Sequence, residues 1–453
     1  MNRPLLRPDL TPLRGSRDFR AVFTSRTVAM LGSQAAEVAL LVQAKQLTGS
    51  PLIVGLLGIA ELVPLLLFGL YGGVLADRFD RRILMRWCEP GMACCALVLL
   101  ANSLLPRPAL WLLFVVAALL MAISSLQRPS FEAATPRLVP REQITTAVAL
   151  LSMMQNISFL IGSSLGGALA ITPGPWLVYA LDAAGFAVSF WVLRRLPALP
   201  PEPGLPLPEA DGDFADAEGQ PDGTPDGTPD GTKAAGLSLR EMFAGIRYAV
   251  TRKDLLGSYL ADLSAMIFAY PNALFPFMAV TLHAPWSAGV MFAAPSAGGL
   301  LVSATSGWMS GVRRHGLAIA LSAATWGAAI AGFGLSPDIY AALACLIIAG
   351  GADECSGIFR DTLWFQTIPD RLRGRMGGVE LLSYGGGPPM GQLRSGAMAS
   401  AFGQRFSLVS GGLACIAAVG AVCATLPAFT RYVAAGQTDA SGEDVVAAGP
   451  SRG

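Results

Sequence analysis

The stretch Leu52-Ile53-Val54-Gly55-Leu56-Leu57-Gly58-Ile59-Ala60-Glu61-Leu62-Val63-Pro64-Leu65-Leu66-Leu67-Phe68-Gly69-Leu70-Tyr71-Gly72-Gly73-Val74-Leu75-Ala76 runs directly into Asp77-Arg78-Phe79-Asp80-Arg81-Arg82. Residues 52–76 carry one charge, Glu61, and are apolar on every helical face. About 20 such residues cross the hydrocarbon core of a bilayer as a helix. The cations that follow stop the crossing and mark a membrane surface.

The same alternation repeats along the chain. Of its 453 residues 53% are hydrophobic and only 14% charged, against about 25% charged in a soluble domain. Further apolar runs read as spans near 21–44, 83–103, 110–133, 144–171 and 175–193. A second group lies near 254–282, 286–311, 316–335, 339–367, 376–401 and 407–430. The runs are rich in Gly and Ala, which suits helices packed closely in lipid. Short alternating segments of the β-barrel kind are absent. The expected fold is an all-α membrane protein, with twelve transmembrane helices in two six-helix bundles.

Lys and Arg set the orientation. With both termini cytoplasmic, the inner segments hold 26 of the 32 cations and the outer loops only Lys45, Arg107 and Arg405. Arg26, Arg360 and Arg394 fall inside spans. The chain then divides into a cytoplasmic tail (1–20), a first bundle (21–196), a linker (197–236), a surface helix (237–253), a second bundle (254–430) and a C-terminal tail (431–453). The linker is rich in Pro, Gly, Asp and Glu and contains Pro-Asp-Gly-Thr three times over 221–232. It cannot bury a core and reads as disordered. After it, Leu239, Met242, Phe243, Ile246 and Val250 alternate with Arg240, Arg247, Arg252 and Lys253 as an amphipathic helix along the inner surface.

Enzyme classes find no support. There is no H-E-x-x-H, C-x-x-C or P-loop lysine, and the one G-x-S-x-G, Gly162 to Gly166, lies inside an apolar run, so no catalytic residue, metal or cofactor is expected. The seven cysteines lie in or beside apolar runs and read as small packing residues. A channel would need a repeated selectivity segment, which is also missing.

Gly72 to Arg82 resembles the loop signature of the major facilitator superfamily, G-x-L-a-D-r-x-G-r-[KR], with Asp80 where many members have glycine. The resemblance extends from about Phe19 to Phe429, the linker excluded, towards the branch containing the enterobactin exporter and macrolide efflux pumps. It is carried by Phe19-Arg20-Ala21-Val22-Phe23 and Ser25-Arg26-Thr27, and by Gln46-Leu47-Thr48-Gly49-Ser50. It is carried also by Gly350-Gly351-Ala352-Asp353 with Arg360, by Pro369-Asp370-Arg371-Leu372-Arg373-Gly374-Arg375, and by Gly385-Gly386-Gly387-Pro388. The resemblance implies two rocking halves with substrate between them, in the cell inner membrane. It implies a monomeric secondary transporter exporting a siderophore-like or drug-like molecule, with protons as the coupling ion. A non-transporting sensor on the same scaffold and an importer of a small metabolite are the alternatives. Two antiporter features are missing. Gly162-Ser163-Ser164-Leu165-Gly166-Gly167 lacks the proline of G-P-x-x-G-G, and no arginine stands between Trp111 and Met121.

The charged loop reads as a conformational gate: Gly73, Asp77, Arg78, Arg81 and Arg82, with Arg373 and Arg375 in the second half. Asp77 at a helix end pairs with an arginine or a neighbouring helix N-terminus in one state and releases it in the other. Charges inside spans point to the transport site, because each is costly in hydrocarbon. Glu37 and Asp262, on the first helices of the two halves, are the preferred coupling carboxylates. Asp353, Arg360, Arg26, Tyr270 and Asn272 complete the candidate set. A salt bridge to a neighbouring span is the alternative role for Asp353 and Arg360. Glu61 and Asp182 read as structural. Pro271 and Pro276 in the seventh span and Gly385 to Pro389 in the eleventh free backbone carbonyls and bend their helices.

Overall fold

The computed structural model describes residues 10–78, 80–140, 143–196, 251–368 and 385–433. The first half contains α1 (Arg17–Thr48), α2 (Pro51–Arg78), α3 (Arg81–Ser103), α4 (Leu110–Leu138), α5 (Ile144–Ile171) and α6 (Pro175–Leu193). The second contains α7 (Lys253–Phe268), α8 (Ala288–Ala304), α9 (His315–Leu335), α10 (Ile339–Thr367), α11 (Gly386–Phe402) and α12 (Gln404–Thr425). Among the described residues, eleven stretches are long and apolar enough to cross a membrane. The chain is thus an all-helical membrane protein. Residues 369–384, directly before α11, lie outside the description, as do the linker and most of the surface helix of 197–250.

Caps fix several helix ends. The Ser16 hydroxyl accepts from the Phe19 N–H at 3.1 Å, so α1 begins at Arg17, inside the expected tail. It ends at Gly49, whose φ of 62° is the left-handed conformation that favours glycine. Asp80, the departure from the loop signature, is the N-cap of α3: its carboxylate accepts from the Arg82 N–H at 2.9 Å. Asp338 caps α10 in the same way.

The seventh span is broken, as its prolines lead one to expect. Helix α7 stops at Phe268, a short 3-10 turn covers Asn272–Leu274, and helix resumes over Phe275–Thr281. A break inside lipid leaves carbonyls that need donors. The Trp326 indole donates to the Ala269 carbonyl at 3.2 Å, and the Arg394 guanidinium donates to the Phe268 carbonyl and to Ser407 O at 2.8 Å. This gives the intramembrane Arg394 a structural task.

Within the first half α1 packs on α5 and α6, α2 on α4, and α3 on α6; within the second, α9 and α8 pack on α10, and α9 on α12. The extensive contacts between halves join α2 to α11 and α5 to α8. Chain direction defines two ends. One carries Arg17, Arg20, Arg81, Arg82, Arg194, Arg195, Arg252, Arg313, Arg314 and Arg431; the other carries Lys45, Arg107 and Arg405. Exposed aromatics ring both: Trp87, Trp191 and Trp308 towards the cationic end, Trp111, Trp176, Trp286 and Tyr340 at the opposite one. Such belts sit at membrane–water interfaces.

The halves meet most closely towards the opposite end. A Cβ on Gly289 would stand 2.6 Å from Ser164 O and 2.8 Å from the Gly167 Cα, and one on Gly167 would strike the Gly289 backbone. In α2 and α11, a Cβ on Gly58 would meet Pro389 O at 2.7 Å, and Gly55 and Gly396 pack backbone to backbone. Only glycine allows these approaches.

Candidate functional site

Glu37 stands midway along α1 and Glu61 on α2, three residues before Pro64. Both face one cavity of about 280 Å³, which Asp182 of α6 and Gln392 of α11 also line. The two glutamates are close enough for their charges to repel. Among the described residues neither has an ion-pair partner. A second cavity, of about 240 Å³, adjoins the first and shares Ser33, Met92, Met121, Ser124 and Phe186 with it. It extends to Arg26 and Arg128, nearer the cationic end, and Glu89 of α3 lines it. The two adjoin, with Arg26 and Arg128 on the side of the cationic end and Glu37, Glu61 and Asp182 on the far side.

Its walls offer acceptors without donors. Gln34 Oε1, Glu89 Oε2, Asp182 Oδ1 and Gln392 Oε1 are buried and lack a hydrogen-bond partner. Each such group carries a cost unless a ligand or water satisfies it. Glu89 is half satisfied and rigidly held: the Gln127 amide donates to its Oε1 at 2.8 Å and to Met85 O at 3.1 Å. The Ser25 and Ser189 hydroxyls meet at 2.6 Å, tying α1 to α6 beside it. The Arg26 guanidinium lies 5.2 Å from the Phe131 ring centre, a cation–π contact.

The second half is arranged differently. Asp262 of α7 and Arg360 of α10 form a buried ion pair, with side chains 3% and 4% exposed. Asp262 therefore does not line the cavity that Glu37 lines. Asp353, seven residues before Arg360 on α10, lies within electrostatic reach of both members of the pair. Its neighbour Glu354 accepts from the Ser303 hydroxyl at 2.6 Å. Tyr270, at the break after α7, links the halves: Glu37, Glu61 and Asp353 all lie near enough to act on it. The Asn272 amide donates to the Tyr270 hydroxyl at 2.8 Å.

Of the residues singled out from sequence, the structure thus groups Glu37, Tyr270, Asn272 and Asp353 near the centre, places Arg26 where the space begins, and pairs Asp262 with Arg360. Glu61 and Asp182, read as structural, also line the cavity. Glu89 was passed over, although Cys88-Glu89-Pro90 is a lone acid inside an apolar run and carries the same signal as Glu37. In the gate segment, Gly73, Asp77 and Arg78 complete α2, but their side chains lie outside the described residues, and Arg373 and Arg375 lie outside altogether. Arg82 donates to the Arg194 carbonyl at 3.2 Å, joining the start of α3 to the end of α6 within the first half.

The family model of transmembrane secretion effectors matches residues 8–210. The enterobactin exporter of Citrobacter koseri is 30% identical over 391 residues, 84% of each chain. That of Shigella flexneri is 29% identical over 385 residues, again 84% of each. Among solved structures, a nucleoside transporter superposes with a TM-score of 0.67 at 12% identity, covering 90% of this chain and 98% of its own. A bacterial homologue of the lysosomal transporter Spinster superposes with a TM-score of 0.64 at 14% identity, covering 92% and 97%. On its two-half helical fold and its similarity to these exporters, the chain belongs to the major facilitator superfamily of membrane transporters, in the branch of the enterobactin exporters, and is not an enzyme.

Proposed function

We propose that the protein is a proton-coupled exporter of a small, donor-rich organic molecule, siderophore-like or drug-like, working by alternating access across the inner membrane. The observation that carries this reading is the acidic space in the first half, which extends towards the cationic end while the glycine seams hold the halves together towards the other. The excess of arginine makes the cationic end cytoplasmic, with both termini on that side. The space then faces the compartment from which an exporter loads.

The chemistry follows from the lining. Four buried acceptors await donors, so hydroxyl, catechol or ammonium groups satisfy them. Met92, Met121 and Phe186 supply a soft apolar wall for a ring. Glu37 and Glu61 are the coupling carboxylates: two neighbouring acids without a cation share protons readily. Substrate arriving from the cytoplasm displaces those protons, and protons entering from the outer side displace the substrate. In this cycle the Asp262–Arg360 pair holds α7 to α10, and Tyr270 senses the charge on both glutamates.

The test is efflux from cells expressing the protein, using a catecholate siderophore, a macrolide and a cationic dye, with Glu37→Gln and Glu61→Gln in parallel. Gradient-dependent efflux that either substitution abolishes, with the protein still folded and in the membrane, supports the reading. Efflux unchanged in both variants removes the carboxylates from the coupling role. No movement of any substrate leaves a non-transporting sensor as the better description.

A further inference from the structure

Among the described residues that line the cavity of about 280 Å³, one comes from the second half: Gln392 of α11. It is 5% exposed and enters beside α2, where glycine lets the two helices touch. A Cβ on Gly58 would stand 3.1 Å from the Gln392 Cβ, and one on Gly55 would stand 2.5 Å from the Gln392 carbonyl oxygen. Glu61 lies three residues beyond Gly58, on the same face of α2, and lines the same cavity. The Gln392 carboxamide makes no hydrogen bond among the described residues, and its Oε1 is buried. Exchanging the two ends of the amide leaves a donor and an acceptor unused either way. Gln34 of α1 lines the cavity as well, and its Oε1 is also unpaired. Methionine or leucine in place of Gln392 would fill a similar volume without the cost of a buried, unsatisfied amide.

We propose, resting on the reading of this cavity as the transport site, that Gln392 is the second half's contact with the substrate. It selects a neutral group that presents a donor beside an acceptor, as a primary carboxamide or a lactam does. The substrate N–H donates to the Gln392 oxygen, and the Gln392 N–H donates to the substrate carbonyl. The acids of the cavity cannot supply this recognition. Glu37 and Glu61 take protons or an ammonium group, whereas a carboxamide bears no charge and pairs with its own kind. The contact also ties bound substrate to both bundles. When α11 parts from α2 the carboxamide leaves with α11, so the substrate loses this contact as the space opens to the other side. Affinity is then higher where substrate loads than where it leaves, and bound substrate in turn favours the state in which α2 and α11 meet.

The assay is equilibrium dialysis of the purified full-length protein with two radiolabelled probes, the primary amide and the methyl ester of a dihydroxybenzoic acid. The two share the ring and its hydroxyls and differ in the N–H donor. Wild type is expected to bind the amide about tenfold more tightly, the effect of one net hydrogen bond. Gln392→Met is expected to bind the two alike, with Gln392→Leu as a second variant of similar volume. Spin labels at Arg107 and Arg405 in a cysteine-free background report the link between the halves. The amide is expected to shorten their mean distance in wild type more than the ester does, and the two probes to act alike in Gln392→Met. A preference for the amide that persists in both variants overturns the proposal, and the cavity reading still stands if Glu37→Gln weakens both probes. Equal affinities in wild type overturn it, as does an amide that binds without moving the labels. Binding of neither probe overturns it too, and the transport reading falls with it where no substrate of the efflux panel moves either.

Discussion

Replacing Asp262 by Asn leaves the Arg360 guanidinium buried beside a neutral amide. The pair is only 3% and 4% exposed, so water cannot take over the role of the lost carboxylate. At an effective dielectric of about 20, two unit charges 4 Å apart attract by about 4 kcal/mol. Removing one member of a buried pair costs about 3–5 kcal/mol, because the other is left uncompensated. Asp353 lies within reach of Arg360 and offsets part of this, which places the expected loss near the lower end, about 3 kcal/mol. Thermal denaturation of the purified protein in detergent is the assay, with Asp262→Asn, Arg360→Gln and the double variant measured together. Each single variant should unfold well below wild type. The double variant should recover at least half of the loss, since neither member of the pair is then left as a charge facing a neutral partner. The double-mutant cycle should then give a coupling of about 2 kcal/mol. Simple additivity of the two losses, or an Asp262→Asn protein as stable as wild type, refutes the reasoning. In that case Asp262 returns to the list of coupling carboxylates.

Other expectations follow from the same geometry. Gly167→Val drives a side chain into the Gly289 backbone. Overpacking of about 1–3 kcal/mol should shift the balance away from the state closed at that end by about 5–150-fold, seen as longer distances between spin labels at Arg107 and Arg405 in a cysteine-free background. Arg394→Met removes the donor to the Phe268 carbonyl and should destabilise the protein by about 1–3 kcal/mol, read as a lower denaturation midpoint. Asp80→Ala removes the α3 cap and should cost about 1 kcal/mol of stability without abolishing efflux. Glu89→Gln keeps an acceptor for Gln127 but removes the charge. It should weaken efflux of cationic substrates several-fold more than that of neutral ones.

The helices were legible because a bilayer demands one simple thing, an unbroken apolar run with cations at one edge. The break in the seventh span was legible for a similar reason, since Pro271 and Pro276 cannot continue a hydrogen-bonded ladder. What satisfies the break was not legible. Trp326 and Arg394 come from α9 and α11, distant in sequence, and an arginine in a span reads equally well as a substrate contact. The candidate site divided along the same line. That Glu37, Glu61, Asp182 and Asp262 are anomalous in lipid follows from their chemistry alone. Which of them meets a cation depends on helix rotation and packing, and four acids in similar apolar settings give no local sign of it. Asp80 is a smaller case. Read against a family pattern it is a departure, but in the structure it is an ordinary helix cap that a glycine would supply less well.

The two halves share a fold but treat charge in opposite ways, and this asymmetry assigns their parts. In the second half the acid on the first helix, Asp262, is closed off by Arg360 within its own bundle. A carboxylate so held is expensive to protonate, because its partner would be stranded, and it is therefore suited to fixing α7 against α10. In the first half Glu37 and Glu61 line a cavity and have no ion-pair partner among the described residues, and Glu89, Asp182 and Gln34, with Gln392 of α11, keep unused acceptors around the same space. A bundle that keeps so many unsatisfied groups in lipid gives up stability that a few apolar substitutions would restore, and that sacrifice is understandable where something diffusible satisfies them in turn. Protons and a donor-bearing substrate are the two species able to do so. In the proposed cycle they compete for the same oxygens, and that competition couples one flux to the other. On this reading the coupling chemistry sits in the first half, the second half supplies Tyr270 and a rigid wall, and the glycine seams between them set which side the competition faces.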